Sequence, residues 1–180
     1  MQEGKPSQTA LRVATHRAAH QLLDHPPVLD DPLALAILGP KRAEALRANP
    51  RSAETSPISP YLRAFVAARS RLTEDELARA VARGVSQYVV LGAGLDTFAL
   101  RNPHPPEALR VFEVDFPATQ AWKRELTASA GLSVPNSLTY VPLDFHEQTL
   151  AQGLAQAGHD PAKPSFLSWL SSMGSPMMVT

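Results

Sequence analysis

The stretch Gln87-Tyr88-Val89-Val90-Leu91-Gly92-Ala93-Gly94-Leu95-Asp96-Thr97 constrains this chain more than any other. A short run of β-formers closes on a Gly-x-Gly turn, and a helix-compatible segment follows. Glycine lets the backbone reverse tightly and approach a ligand with no Cβ in between. That is how an open α/β sheet grips a nucleotide-type ligand at the carboxyl end of its first strand. Two more strand ends follow. Arg110-Val111-Phe112-Glu113-Val114-Asp115-Phe116-Pro117 is an apolar run ending in an acid, 23 positions after Gly92. The spacing is near the roughly 20 residues expected of an acid that binds ribose hydroxyls. Ser137-Leu138-Thr139-Tyr140-Val141-Pro142-Leu143-Asp144-Phe145 supplies a third strand ending in an acid and an aromatic. Three such ends side by side form one ligand crevice.

The chemistry of the turn narrows the ligand. A nicotinamide dinucleotide site would place its third glycine where Thr97 stands, and would set a pyrophosphate beside Asp96. An anion next to phosphates is unfavourable by on the order of a few kcal/mol. S-adenosylmethionine carries no phosphate but has an ammonium and a sulfonium, so acids in the turn are tolerated. The residues therefore lean to S-adenosylmethionine over a nicotinamide-dependent dehydrogenase.

With Leu91-Gly92-Ala93-Gly94-Leu95-Asp96-Thr97 and Phe112-Glu113-Val114-Asp115-Phe116-Pro117 in place, the chain resembles the leucine carboxyl methyltransferase family. The closer likeness is to its bacterial branch of S-adenosylmethionine-dependent O-methyltransferases. Ala14-Thr15-His16-Arg17-Ala18-Ala19-His20, Asp30-Asp31-Pro32-Leu33-Ala34 and Ala68-Arg69-Ser70-Arg71 carry the likeness through the N-terminal half. The resemblance implies an α/β fold: a class I methyltransferase, Rossmann-like sheet, here about its first four strands, preceded by a helical cap. It divides the chain into a cap at 1–84, a cofactor-binding half-domain at 85–170 and a divergent tail at 171–180. It further implies that Gly92 and Gly94 shape the methionine end of the pocket, and that Asp115 holds the ribose hydroxyls. Asp144 and Phe145 would flank the adenine. One arginine of the Ala68–Arg71 segment, Arg69 in preference to Arg71, would meet the cofactor carboxylate. The expected partner is a small-molecule methyl acceptor.

Simpler roles stand beside these. Asp115 before Pro117 could cap a helix, and Glu113 shares its strand face. Asp144-Phe145 could be a plain turn. His16, His20, His25 and His146 have no ligand set at a recognised metal spacing, so no metal is expected and they read as ordinary helix and loop residues. No residue stands out as a general base. The fourth strand, at Pro164–Leu170, is followed by Ser171-Ser172-Met173-Gly174-Ser175-Pro176 where the resemblance implies a Gly-Val…Tyr-Leu segment and a long continuation. The expectation is a C-terminally truncated member with an unpaired fourth strand. Such a chain is either a methyltransferase or a non-catalytic fragment that binds the cofactor or a partner chain.

Composition bounds the rest. At 180 residues one domain is the default, burying roughly 70% of its unfolded surface. Lysine plus arginine equals aspartate plus glutamate at 17 each, so overall charge points neither to nucleic acid nor to an anionic membrane. With no cysteine, disulfides and thiolate chemistry are excluded. The polar start, Met1 to Gln8, lacks a signal-peptide core, and the default compartment is the cytoplasm. Helices are expected at 9–24, briefly after Asp31-Pro32, and at 61–71. Another is expected from a capping box at Thr73–Glu76 to Gly84, and one more at 119–130. Residues 49–60 read as a mobile loop.

Overall fold

The computed structural model describes residues 7–170 and 177–179. β1 (Gln87–Leu91), β2 (Arg110–Asp115), β3 (Leu138–Pro142), β4 (Ser165–Trp169) and β5 (Met177–Val179) form one sheet in the order β3-β2-β1-β4-β5. The first four strands are parallel, with Val89 opposite Phe112 on one side and Leu167 on the other. Strand order reverses direction at β1, which places the ligand crevice of such a sheet at the end of β1. β5 runs antiparallel to β4, with Ser168 opposite Met178. The expectation of an unpaired fourth strand is therefore corrected: β-forming Met177–Val179 returns to cover that edge. The rest of the tail, 171–176 and 180, lies outside the described residues, as does most of the polar start.

Helices α1 (Gln8–Leu23), α2 (Pro40–Ala48) and α3 (Ser59–Ala82) precede the sheet; α4 (Pro117–Ser129) and α5 (Leu150–Gln156) cross between strands. Ser7 caps α1 by accepting from Ala10 N. Gly39, at φ 81°, separates a 3-10 turn at Ala36–Leu38 from α2. One face of the sheet (Tyr88, Val90, Val111, Phe166) packs on Leu77 and Ala80 of α3. The other (Val89, Phe112, Val114, Val141) packs on Leu154 of α5. A third cluster joins Ala14 and Ala18 of α1 to Ile37, Leu38 and Leu95, with Trp122 and Leu126 of α4 against it.

Three expectations need correcting. The helices foreseen at 61–71 and after Thr73 are one helix, α3. Thr73 does not cap: the helix runs on through it with no Gly or Pro there to break it, so its hydroxyl donates to the carbonyl of Arg69 one turn back, at 2.9 Å, the usual bond of a mid-helix threonine. The foreseen end does hold. Gly84 N donates to Val81 O and Val85 N to Ala80 O, with Gly84 at φ 97°, a Schellman closure. Second, the segment after Gly94 is not an α-helix but a three-residue 3-10 turn, Phe98–Leu100. Third, the 49–60 stretch is anchored: Pro50–Ala53 form a 3-10 turn, and Arg63 of α3 pairs with both Glu54 and Asp24.

Candidate functional site

The Gly-x-Gly turn closes β1 as its sequence implies. Gly92 N and Ala93 N both donate to the carbonyl of Val114, at 2.8 and 3.2 Å, which ties the turn to β2. Gly92 and Gly94 take φ 64° and 52°, conformations that L side chains rarely adopt. A Cβ at Gly94 would stand 2.9 Å from the Cβ of Ala10, so α1 rests directly on the turn. Asp115, the last residue of β2, reaches back across the turn. One carboxylate oxygen accepts from Gly94 N at 2.5 Å and the other from Phe116 N at 2.7 Å. Burial pushes its carboxyl above the ordinary value, against those two N–H donors. The helix-cap alternative fails here, because the N-cap of α4 is Phe116 and Asp115 faces the turn.

A cavity of about 350 Å³ lies over this turn. Its floor is Val90 to Asp96 with Asp115; its roof is Ala10, Val13 and Arg17 of α1 with Arg69 and Ser70 of α3; Trp169 and Leu170 close one side. Trp169, half-exposed at the end of β4, has its ring where a Cβ on Gly92 would point, 3.9 Å away. Arg69 is buried in the roof, with its guanidinium 5.4 Å from the Phe65 ring centroid. Burial lowers its pKa, and Asp96 opposes that.

Of the residues singled out in the sequence, Arg69, Gly92, Gly94 and Asp115 come together around one cavity. Arg71 does not line it; its guanidinium pairs with Asp75 on the exposed face of α3. Asp144 and Phe145 lie beyond the end of β3, along the same carboxyl edge of the sheet but outside this cavity. Asp144 accepts from His146 N at 2.9 Å, and Phe145 is 66% exposed. Glu113 does not line the cavity: its carboxylate forms a fully buried pair with Lys123 of α4 at 2.5 Å.

Sequence reasoning missed the charge network under the cavity. Arg17 donates to the carbonyl of Leu95 at 2.5 Å and to Asp96 at 3.3 Å, and pairs through Nε with Asp31 at 2.8 Å. Thr97, fully buried, donates its hydroxyl to Asp31 at 2.6 Å. Arg101 pairs with Asp31 at 3.3 Å and, from its other face, with Glu74 of α3. The network sews α1, the Asp31 segment and α3 onto the loop after β1. Burial works to raise the Asp96 carboxyl, but Arg17, Lys123, the Phe98 N–H and Arg101 together hold it below its ordinary value. Arg17 and Asp31 stood within motifs of the N-terminal half, yet nothing local to them announced a partner some 70 residues away.

Among the described residues no His, Asp or Glu cluster could hold a metal, and no helix is long and apolar enough to cross a membrane. The family model for leucine carboxyl methyltransferase matches residues 10–174. YktD of Bacillus subtilis (strain 168), by name an S-adenosyl-L-methionine-dependent methyltransferase, is 32% identical over 92% of this chain and 61% of its own length. A protein of Saccharopolyspora erythraea with the same kind of name is 34% identical over 91% of this chain and 55% of its own. One from Mycobacteroides abscessus is 33% identical, over 87% and 51%. The chain thus spans between half and two thirds of the length of these relatives. A sheet switching direction at a Gly-x-Gly turn, an acid from β2 bonded into that turn and a helical roof over both agree with that match, and the chain belongs to the leucine carboxyl methyltransferase family.

Proposed function

We propose that the cavity over the Gly92–Gly94 turn holds S-adenosylmethionine and that the protein this chain represents transfers its methyl group to an oxygen of a small-molecule or carboxylate acceptor. The observation that carries this reading is the chemistry of the cavity wall. Two arginines and two acids surround a glycine turn followed only by a 3-10 turn. A pyrophosphate is usually met by the N–H groups of an α-helix that starts directly after the glycine turn; here only a three-residue 3-10 turn follows, and Asp96 and Asp115 stand at that place. A zwitterionic amino-acid end suits this wall. Arg69 answers the carboxylate, and the acids answer the ammonium and the ribose hydroxyls. The names of the relatives point the same way.

Each role follows from placement. Asp115 spends one lone pair per oxygen on Gly94 and Phe116 and keeps others for ribose hydroxyls. Gly92 leaves the space beside Trp169 that a side chain would take. Asp144 and Phe145, further along the carboxyl edge, are the proposed adenine contacts. When bound, the cofactor supplies an electrophilic methyl on sulfur. The chain's contribution is to hold it in one alignment beneath the helical roof, and alignment is the main source of rate in such a transfer.

The test is calorimetric titration of the 180-residue chain with S-adenosylmethionine. Saturable binding is expected. Asp115→Ala, which removes a carboxylate that bonds two hydroxyls, should weaken it about tenfold to a hundredfold. A folded chain that gives no heat would overturn the cofactor reading. Heat indifferent to Asp115 would overturn the ribose assignment alone.

A further inference from the structure

The first cavity has a neighbour. Between α1, the 3-10 turn at Pro50–Ala53 and the start of α3 lies a second one, of about 630 Å³, walled by Leu11, Ile58 and Leu62 and rimmed by Thr55. A smaller void of about 150 Å³ lies between the two. It shares His16, Arg12 and Leu62 with the second cavity, and Thr9, Val13 and Arg69 with the first. The size is that of a small-molecule site, and the void leads from it toward the roof of the cofactor cavity.

His16 faces both the second cavity and the connecting void. It is 4% exposed, yet its Nδ1 is buried and has no hydrogen-bond partner among the described residues. His20, one turn on, shows how the same helix satisfies a buried histidine. Its Nδ1 meets Asp24 at 2.7 Å, and its Nε2 accepts from Leu29 N at 3.2 Å. A buried ring nitrogen left alone is costly and calls for a reason. The charged groups around His16 are Arg12 on its own helix, Arg63 on α3 and Glu54 on the loop. Burial, then Arg12 and Arg63, lower its pKa, and Glu54 opposes them. Burial and the two arginines thus favour the neutral ring, and a neutral imidazole has one nitrogen that accepts a hydrogen bond.

Resting on the cofactor reading above, we infer that this second cavity seats the methyl acceptor, a small molecule bearing an alcohol or phenol, whose O–H is donated to Nδ1 of His16. A carboxylate acceptor is already ionised and needs no base; a hydroxyl does. In the transfer the acceptor oxygen forms a bond to the methyl carbon. The carbon–sulfur bond breaks with its electron pair left on sulfur, and the hydroxyl proton passes to Nδ1. The imidazolium then returns its proton to water.

The experiment uses 4-methylphenol, a phenol that keeps its O–H at neutral pH, as the probe, with calorimetry and side-chain ¹⁵N NMR of the histidines on the chain saturated with S-adenosylmethionine. The expected result is that the probe binds alongside S-adenosylmethionine and shifts the His16 ring nitrogens. H16Q should weaken the probe about tenfold, the effect of one buried hydrogen bond, and leave S-adenosylmethionine affinity unchanged. Because H16Q could disturb the fold, Thr55→Trp serves as a second variant. It fills the cavity from its exposed rim and should block the probe with His16 intact. Probe binding indifferent to both variants, or 4-methylbenzoate binding in preference with His16 unshifted, overturns the inference. If S-adenosylmethionine itself fails to bind, the reading of the first cavity is what fails. If it binds and the probe leaves His16 unmoved, only the acceptor site falls.

Discussion

Gly94 meets two demands at once. Its φ of 52° is left-handed, and the space where a Cβ would sit is taken by Ala10 of α1. Gly84 makes a useful contrast, since its φ is 97° but nothing lies within 4 Å of its missing Cβ. Gly84→Ala should therefore cost only the backbone term, about 1–2 kcal/mol, and leave S-adenosylmethionine affinity alone. Gly94→Ala should cost more, push α1 off the turn and reduce that affinity as well. Thermal melts and calorimetry on the two variants, side by side, check this. Equal losses in both would mean that α1 does not bear on the turn.

At the level of elements, β2 and α4 are joined by a pair that their sequences conceal. Glu113 and Lys123 are both fully buried and 2.5 Å apart. Burial pushes the Glu113 carboxyl up, and Lys123 pulls it back. Such a pair adds little net stability against an apolar replacement, but removing one member strands the other charge. Glu113→Gln should destabilise the chain by roughly 3–5 kcal/mol at pH 7, and Glu113→Leu with Lys123→Met should recover most of that. Urea titrations of the single and double variants decide it; a single variant as stable as the parent would contradict the geometry. Glu113 also shows the limit of face arguments. It shares a strand face with Asp115 two residues on, yet Asp115 lies at the strand end against the turn and Glu113 lies under α4.

Across the molecule, the helical roof is held to the sheet by Asp31. This carboxylate, 1% exposed, meets Arg17 of α1, the Thr97 hydroxyl and Arg101, which in turn pairs with Glu74 of α3. α3 belongs to both bodies, for its second half packs Leu77 and Ala80 on the sheet. Asp31→Asn leaves two arginines without their shared counter-charge. The loss expected is about 3 kcal/mol or more, a fall in Tm of roughly 6–12 °C for a chain of this size. Hydrogen exchange should show protection lost in α1 and the 95–97 loop before β1 and β2. Uniform loss across the sheet would mean that roof and sheet open as one unit.

The strand ends, the glycine turn and the acid of β2 were legible in the sequence because each is a local pattern: a period of two, a residue without Cβ, a charge at the end of an apolar run. So was the gathering of Arg69, Gly92, Gly94 and Asp115, through the motifs of the family. The fusion of two expected helices into α3 was not, because Thr73-Glu74-Asp75-Glu76 satisfies a cap and a continuing helix equally well, and packing chose the helix. The 3-10 turn after Gly94, the return of β5 and the Asp31 network depend on partners far along the chain. His16 is the sharpest case. By sequence it is one more histidine on an alanine-rich helix, and only the placement of α3 and the Pro50–Ala53 turn around it leaves its ring nitrogen alone at a cavity wall. Local pattern determines which backbone forms; tertiary packing decides which polar groups are left with a ligand to find.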